Sequence, residues 1–224
     1  HLKPSRPAGG HVETSRQVEV EVAAQRAFID QPGADLFAQL SNGYPSVEAK
    51  AQLKALSYGT TDPILEVNAI HLLMRWWAPA DDDLPEVRTF AERGIARSQE
   101  LGFAGSAAVL RAQLVAFTAF ELNQTLLEHH FGMTMSALAG LPATSEDLRR
   151  QARLDSLTKL FPTQAGACTS DLLSGVSPLE VSAALQLLGT AFGQVAQCLR
   201  AIGAVPSADT YIGHAKRLLL AAKD

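Results

Sequence analysis

Apolar and polar positions along the chain recur with the helical period almost throughout. Val87, Phe90, Ala91, Gly94, Ile95, Ser98 and Leu101 follow i, i+3, i+4, i+7 spacing with charges between them, the pattern of a helix laying one face on a core. The residues around such segments predict where each helix starts and stops. Asp62-Pro63 reads as an N-cap followed by proline at the first helical position, opening a helix over 62–77. Asp83-Leu-Pro-Glu86 opens another that Gly102 closes. Thr144-Ser-Glu-Asp147 opens a third, expected to stop before Phe161-Pro162 because an interior proline removes a backbone donor. Ser177-Pro-Leu-Glu180 is a capping box for a helix that Gly203 ends. Further helices are expected over 13–30, 46–57, 106–131 and 207–222, with short turns near 34–41 and 133–139. Val18-Glu-Val-Glu-Val22 alternates with period two. The helix-favouring Ala23-Ala-Gln-Arg-Ala27 that follows, and the lack of a partner strand, favour helix there too. The expected fold is all-α, with antiparallel helical hairpins stacked as a compact bundle or short α-solenoid, because short connections favour antiparallel neighbours.

Residues 84–127 resemble one hairpin of the tetratricopeptide class in a degenerate form. The resemblance lies in Phe90-Ala-Glu-Arg-Gly-Ile-Ala-Arg-Ser-Gln-Glu-Leu-Gly102 and then Ala107-Ala-Val-Leu-Arg-Ala-Gln-Leu114. Small residues at Ala91, Gly94 and Ala112 would let two helices pack closely. No period of about 34 residues recurs elsewhere, and the aromatic and proline markers of the consensus are missing. The resemblance implies a stacked-hairpin architecture and, by analogy, partner binding through a concave face.

Composition narrows the picture. A chain of 224 residues with 47% hydrophobic residues has enough apolar material for a core without staples. No composition break divides it, so a single helical domain over 13–224 is expected after an N-terminal tether over 1–12. That tether begins His1-Leu-Lys-Pro-Ser-Arg-Pro-Ala-Gly-Gly10, rich in Pro, Gly and basic residues and without periodicity. Such tethers follow signal peptides or membrane anchors, and a tag remnant has the same composition. The expectation is an exported, periplasmic location, with the cytoplasm as the alternative. Cys168 and Cys198 are the only cysteines; they read either as a disulfide of an oxidising compartment or as two buried thiols. A net charge of −4 argues against nucleic acid as a partner, and the one basic cluster is Arg149, Arg150 and Arg153. The longest apolar-rich stretch, Leu179–Ile202, carries Gln186, Gln194, Gln197 and Arg200, so no transmembrane segment is expected.

Candidate chemistry is sparse. Asn68, His71 and Arg75 form one polar line on the otherwise apolar 62–77 helix, which Trp76-Trp77 ends. This reads as a solvent strip or as the lining of a partner groove, with the tryptophans as candidate anchors. Glu121, Thr125, Glu128 and His129 gather on one side of the 106–131 helix. His129 and the adjacent His130 diverge by about 100° on a helix, and there is no Glu-x-x-His, H-E-x-x-H or cysteine-rich spacing. That side is expected to be a solvated polar face with the histidines near a helix C-terminus, and no metal or other cofactor is expected. Nucleophile elbows and phosphate-binding loops are also absent. Elimination leaves a non-enzymatic protein-binding module, such as an inhibitor or immunity protein against a toxin, or an envelope adaptor. The alternative is a small-molecule sensor or carrier with an apolar pocket between helices 62–77, 106–120 and 179–202, and the third reading is an enzyme of unrecognised type around Glu121, Glu128 and His129.

Overall fold

The computed structural model describes residues 46–75, 84–172, 176 and 178–223. Among them are seven α-helices and no strand. These are α1 (Val47–Gly59), α2 (Pro63–Arg75), α3 (Leu84–Glu100), α4 (Ala104–Leu138), α5 (Ser145–Leu172), α6 (Pro178–Ala201) and α7 (Val205–Ala221). The all-α expectation holds. The tether, the expected 13–30 helix with Val18–Val22, the turn near 34–41, Trp76, Trp77, Asp83 and Ser177 lie outside the described residues. No helix among the described residues is long and apolar enough to cross a membrane.

Helix ends follow the local chemistry. Asp62 Oδ1 accepts from the N–H groups of Ile64 and Leu65 at 2.9 and 3.3 Å, satisfying two of the donors that a helix start leaves open. Thr144 and Asp147 form a reciprocal box. The Asp147 N–H donates to Thr144 Oγ1 at 3.1 Å, while the Thr144 N–H and hydroxyl donate to Asp147 Oδ2 at 2.8 and 2.7 Å. Gly102, Gly140 and Gly203 end α3, α4 and α6 with positive φ. The N–H after each reaches back to the carbonyls of Ser98, Ser136 and Leu199 respectively, a Schellman closure in which a side chain at the glycine position would be strained.

Two boundaries differ from expectation. α4 runs on to Leu138 instead of ending near 131, so the expected 133–139 turn is helix and His129 and His130 are not in its last turn. Residues 133–139 contain no strong helix breaker; the stop signal is Gly140 with Pro142 behind it. α5 passes through Pro162 to Leu172. Leu157, Phe161, Ala165, Cys168 and Leu172 lie on one buried face on both sides of the proline, while Pro162 itself is exposed. A proline in a helix interior costs about 3 kcal/mol, and burying side chains the size of Leu or Phe returns about 1.5–3 kcal/mol each. Packing therefore offsets the local penalty.

The described residues form two compact units. The first holds α1, α2, α3 and α4 as far as Arg111. Leu53 of α1 packs with Leu65 and Ala69 of α2, flanked by Ala49, Leu56, Leu72 and Leu73. The apolar stripe predicted on α3 is the buried one: Val87, Phe90, Ala91, Gly94, Ile95 and Ser98 are all buried. A Cβ at Gly94 would come within 2.7 Å of Ile70 and 3.0 Å of Leu110, so this glycine permits the close approach of α2, α3 and α4.

The second unit holds the rest of α4, then α5, most of α6, and α7. Its centre is aromatic. Phe161 of α5 meets Phe192 of α6 edge-on at 4.9 Å and stacks with Tyr211 of α7 at 6.0 Å between ring centroids. Burial pushes the Tyr211 phenol pKa up. Thr118 Oγ1 donates to Gln164 Oε1 at 2.7 Å, tying α4 to α5, and Ser182 Oγ donates to the Ala222 carbonyl at 2.7 Å beyond α7.

Candidate functional site

The polar line of α2 is partly absorbed by packing. Asn68 and His71 are half-buried, and Arg75 is exposed. His71 Nε2 meets Ser106 Oγ in the first turn of α4, which joins two helices of the first unit. Burial lowers the His71 pKa to about 4. The ring is then neutral near pH 7 and is a weak base for proton abstraction. An unfolded histidine titrates near its ordinary value of 6.5, so between these values the unfolded chain binds the proton more readily. Stability is therefore expected to fall as pH drops from about 6.5 to about 4 and to be insensitive to this group above that window. Urea midpoints across this range should fall less steeply for His71→Gln than for wild type; parallel curves would contradict the assignment.

On the opposite face of α2 lies a carboxylate that spacing alone does not reveal. Glu66 is buried, and its two oxygens meet Arg93 Nε at 2.8 Å and Arg97 Nε at 2.9 Å on α3. The Arg97 contact is an aligned hydrogen bond; the Arg93 Nε contact is close but off the N–H axis, hence chiefly ionic. Arg93 also donates to the Ser57 carbonyl at 2.7 Å and lies 4.4 Å over the Tyr58 ring. One arginine thus holds α1, α2 and α3 together.

Glu121, Glu128 and His129 do share a side of α4, and that side faces α5. Arg153 Nη2 meets Glu121 Oε1 at 2.6 Å, and Arg150 Nε lies 3.8 Å from Glu128 Oε2. Arg150 is also 3.6 Å from Glu146, which Arg149 meets at 2.9 Å. The basic cluster and the acidic face therefore largely neutralise each other across an antiparallel helix pair. Gly132 lets the start of α5 approach, since a Cβ there would lie 2.6 Å from Asp147 Oδ1. The Thr144 backbone N–H and hydroxyl hold Asp147 below the usual carboxylate range, with Arg150 and His129 adding to the effect. His129 Nδ1 is buried without a hydrogen-bond partner among the described residues. No group of three metal-ligating side chains occurs among the described residues.

Cys168 and Cys198 are not bridged. Cys168 sits on the buried face of α5, while Cys198 is half-buried beside the core stripe of α6. Burial pushes the Cys198 thiol pKa up, so it behaves as a small apolar side chain and not as a reactive thiolate.

The surface that stands out lies where the sequence pattern predicts a helix end and a turn. In the C-terminal half of α4, Leu122, Thr125, Leu126, His129 and Gly132 face inward. On the opposite side Leu127, Phe131, Thr134 and Leu138 form an exposed stripe, with Met135 beside it and Leu141 just past the helix end. Phe131 is 67% and Leu138 78% exposed. Residues 131–144 contain no charged side chain. Scattered exposed apolar residues are ordinary, whereas a contiguous stripe of large ones is less common. Its signal in sequence is the long uncharged run, which resembles core until burial is known. Compared with known protein families, characterised proteins and solved structures, the chain matches none.

Proposed function

We propose that this chain is a non-enzymatic protein-binding module whose docking face is the outward stripe of α4. The observation that carries the reading is Leu127, Phe131 and Leu138 standing exposed along one helix face without a charge from 131 to 144. The stripe is convex, so it fits a partner's apolar surface or groove, with anchors at i, i+4 and i+11. The polar groups that the sequence offers for docking are largely engaged within the fold: Glu121 and Glu128 with arginines of α5, His71 with Ser106. An inhibitor or assembly adaptor is the form of this function that the acidic, motif-poor sequence suits.

The test compares affinity capture by wild type and by Phe131→Asp/Leu138→Asp. Both positions are exposed, so folding should change by no more than about 0.5 kcal/mol per site. Each aspartate would put an uncompensated charge into an apolar contact. Recovery of stoichiometric protein partners is expected to fall by about tenfold or more, equivalent to about 1.4 kcal/mol. Undiminished recovery, with loss instead in Asn68→Ala/Arg75→Ala, would move the docking face to α2 and contradict the proposal.

A further inference from the structure

The geometry points to a second copy of this chain as the occupant of the α4 stripe, an inference that rests on the docking reading above and specifies its partner. Leu127, Phe131, Thr134 and Leu138 are spaced 4, 3 and 4 residues apart, the spacing of a helix–helix seam in which each side chain fits between those of a facing helix. Pairing two identical stripes about a two-fold axis gives a closed, self-complementary interface, the commonest arrangement among oligomers.

Charge agrees with this. The run 131–144 carries no charge, so two copies bring no like charges from it into contact; the exposed Glu128 and His130 flank the seam between Leu127 and Phe131. The area sets the strength. Leu127, Phe131, Met135, Leu138 and Leu141 are 44, 67, 51, 78 and 63% exposed, so covering all five completely would bury on the order of 600 Å² per protomer, roughly 1,200 Å² for a pair, the low end for a specific interface and the range of a weak, reversible one. The expected product is a reversible dimer; in an antiparallel pair of the 127–141 stripe its midpoint, Thr134, lies close to the two-fold axis.

Sedimentation velocity of the full chain over a concentration series tests this. Wild type is expected to move from monomer to dimer with rising concentration, and Phe131→Asp/Leu138→Asp to weaken self-association by about tenfold or more. Mild oxidation should link Thr134→Cys into a covalent dimer across the axis, while Lys159→Cys, exposed on α5, should stay uncrosslinked. A wild-type chain that is monomeric throughout overturns the second-copy proposal. A dimer that survives the double substitution without Thr134→Cys crosslinking overturns it as well. A monomeric chain that still loses other protein partners on the double substitution separates the two ideas: the self-pairing falls and the docking face stands.

Discussion

Phe161→Ala is expected to lower stability by about 3–5 kcal/mol, the cost of truncating a large buried aromatic side chain. The residue is completely buried and meets rings from two other helices, Phe192 of α6 and Tyr211 of α7. Aromatic pairs of this geometry contribute about 0.5–1.5 kcal/mol beyond their burial. Phe161 also stands immediately before Pro162, where α5 lacks a backbone hydrogen bond and depends on its buried face to continue. Its loss therefore removes both core volume and part of what offsets the proline. Urea unfolding followed by circular dichroism should show the midpoint shift, and the helical signal of the folded variant should drop if α5 frays beyond 161. A loss below about 1 kcal/mol would contradict the central place given to this ring.

Glu66→Ala is expected to cost about 2–3 kcal/mol. Removing one member of a buried ion pair costs about 3–5 kcal/mol when the remaining charge is trapped. Arg93 and Arg97 are 28% and 43% exposed, so both can recover some hydration, which reduces the figure. Arg97→Ala should cost less than Glu66→Ala because Arg97 is the more hydrated partner and Glu66 keeps its contact with Arg93. Arg93→Ala should cost more than Arg97→Ala because it also gives up the Ser57 carbonyl and the stacking on Tyr58. A thermodynamic cycle over Glu66 and Arg93 measures their coupling; a coupling near zero would show that Glu66 is held by Arg97 alone.

Much of the fold is legible in local chemistry. Asp62, Thr144 and Asp147 act as caps, Gly102 and Gly203 as stops, and the α3 stripe is buried as its period implies, because each of these signals acts within one or two helical turns. The features that local patterns miss depend on distant residues. Pro162 is accommodated because Phe161 and Ala165 lie on a face buried against other helices, and no local rule contains that gain. Glu66 reads in sequence as one more first-turn acid; its arginines lie 27 and 31 residues further along the chain. The acidic side of α4 is evident from spacing, but its counter-charges come from α5, so spacing alone makes it resemble a surface. The exposed stripe is hidden for a different reason. Leu127, Phe131 and Leu138 have the composition of a core face, and only the inward direction of Leu122, Leu126 and Gly132 shows that they point the other way.

The most direct test of the α4 stripe as a contact surface is site-specific photo-crosslinking in cells, with the photoreactive residue at Leu138 and a control at Lys159. A discrete covalent adduct is expected at position 138, of the mass of a second copy or of another protein, and none of comparable yield at position 159. No adduct at 138, or equal diffuse labelling at both positions, would contradict it.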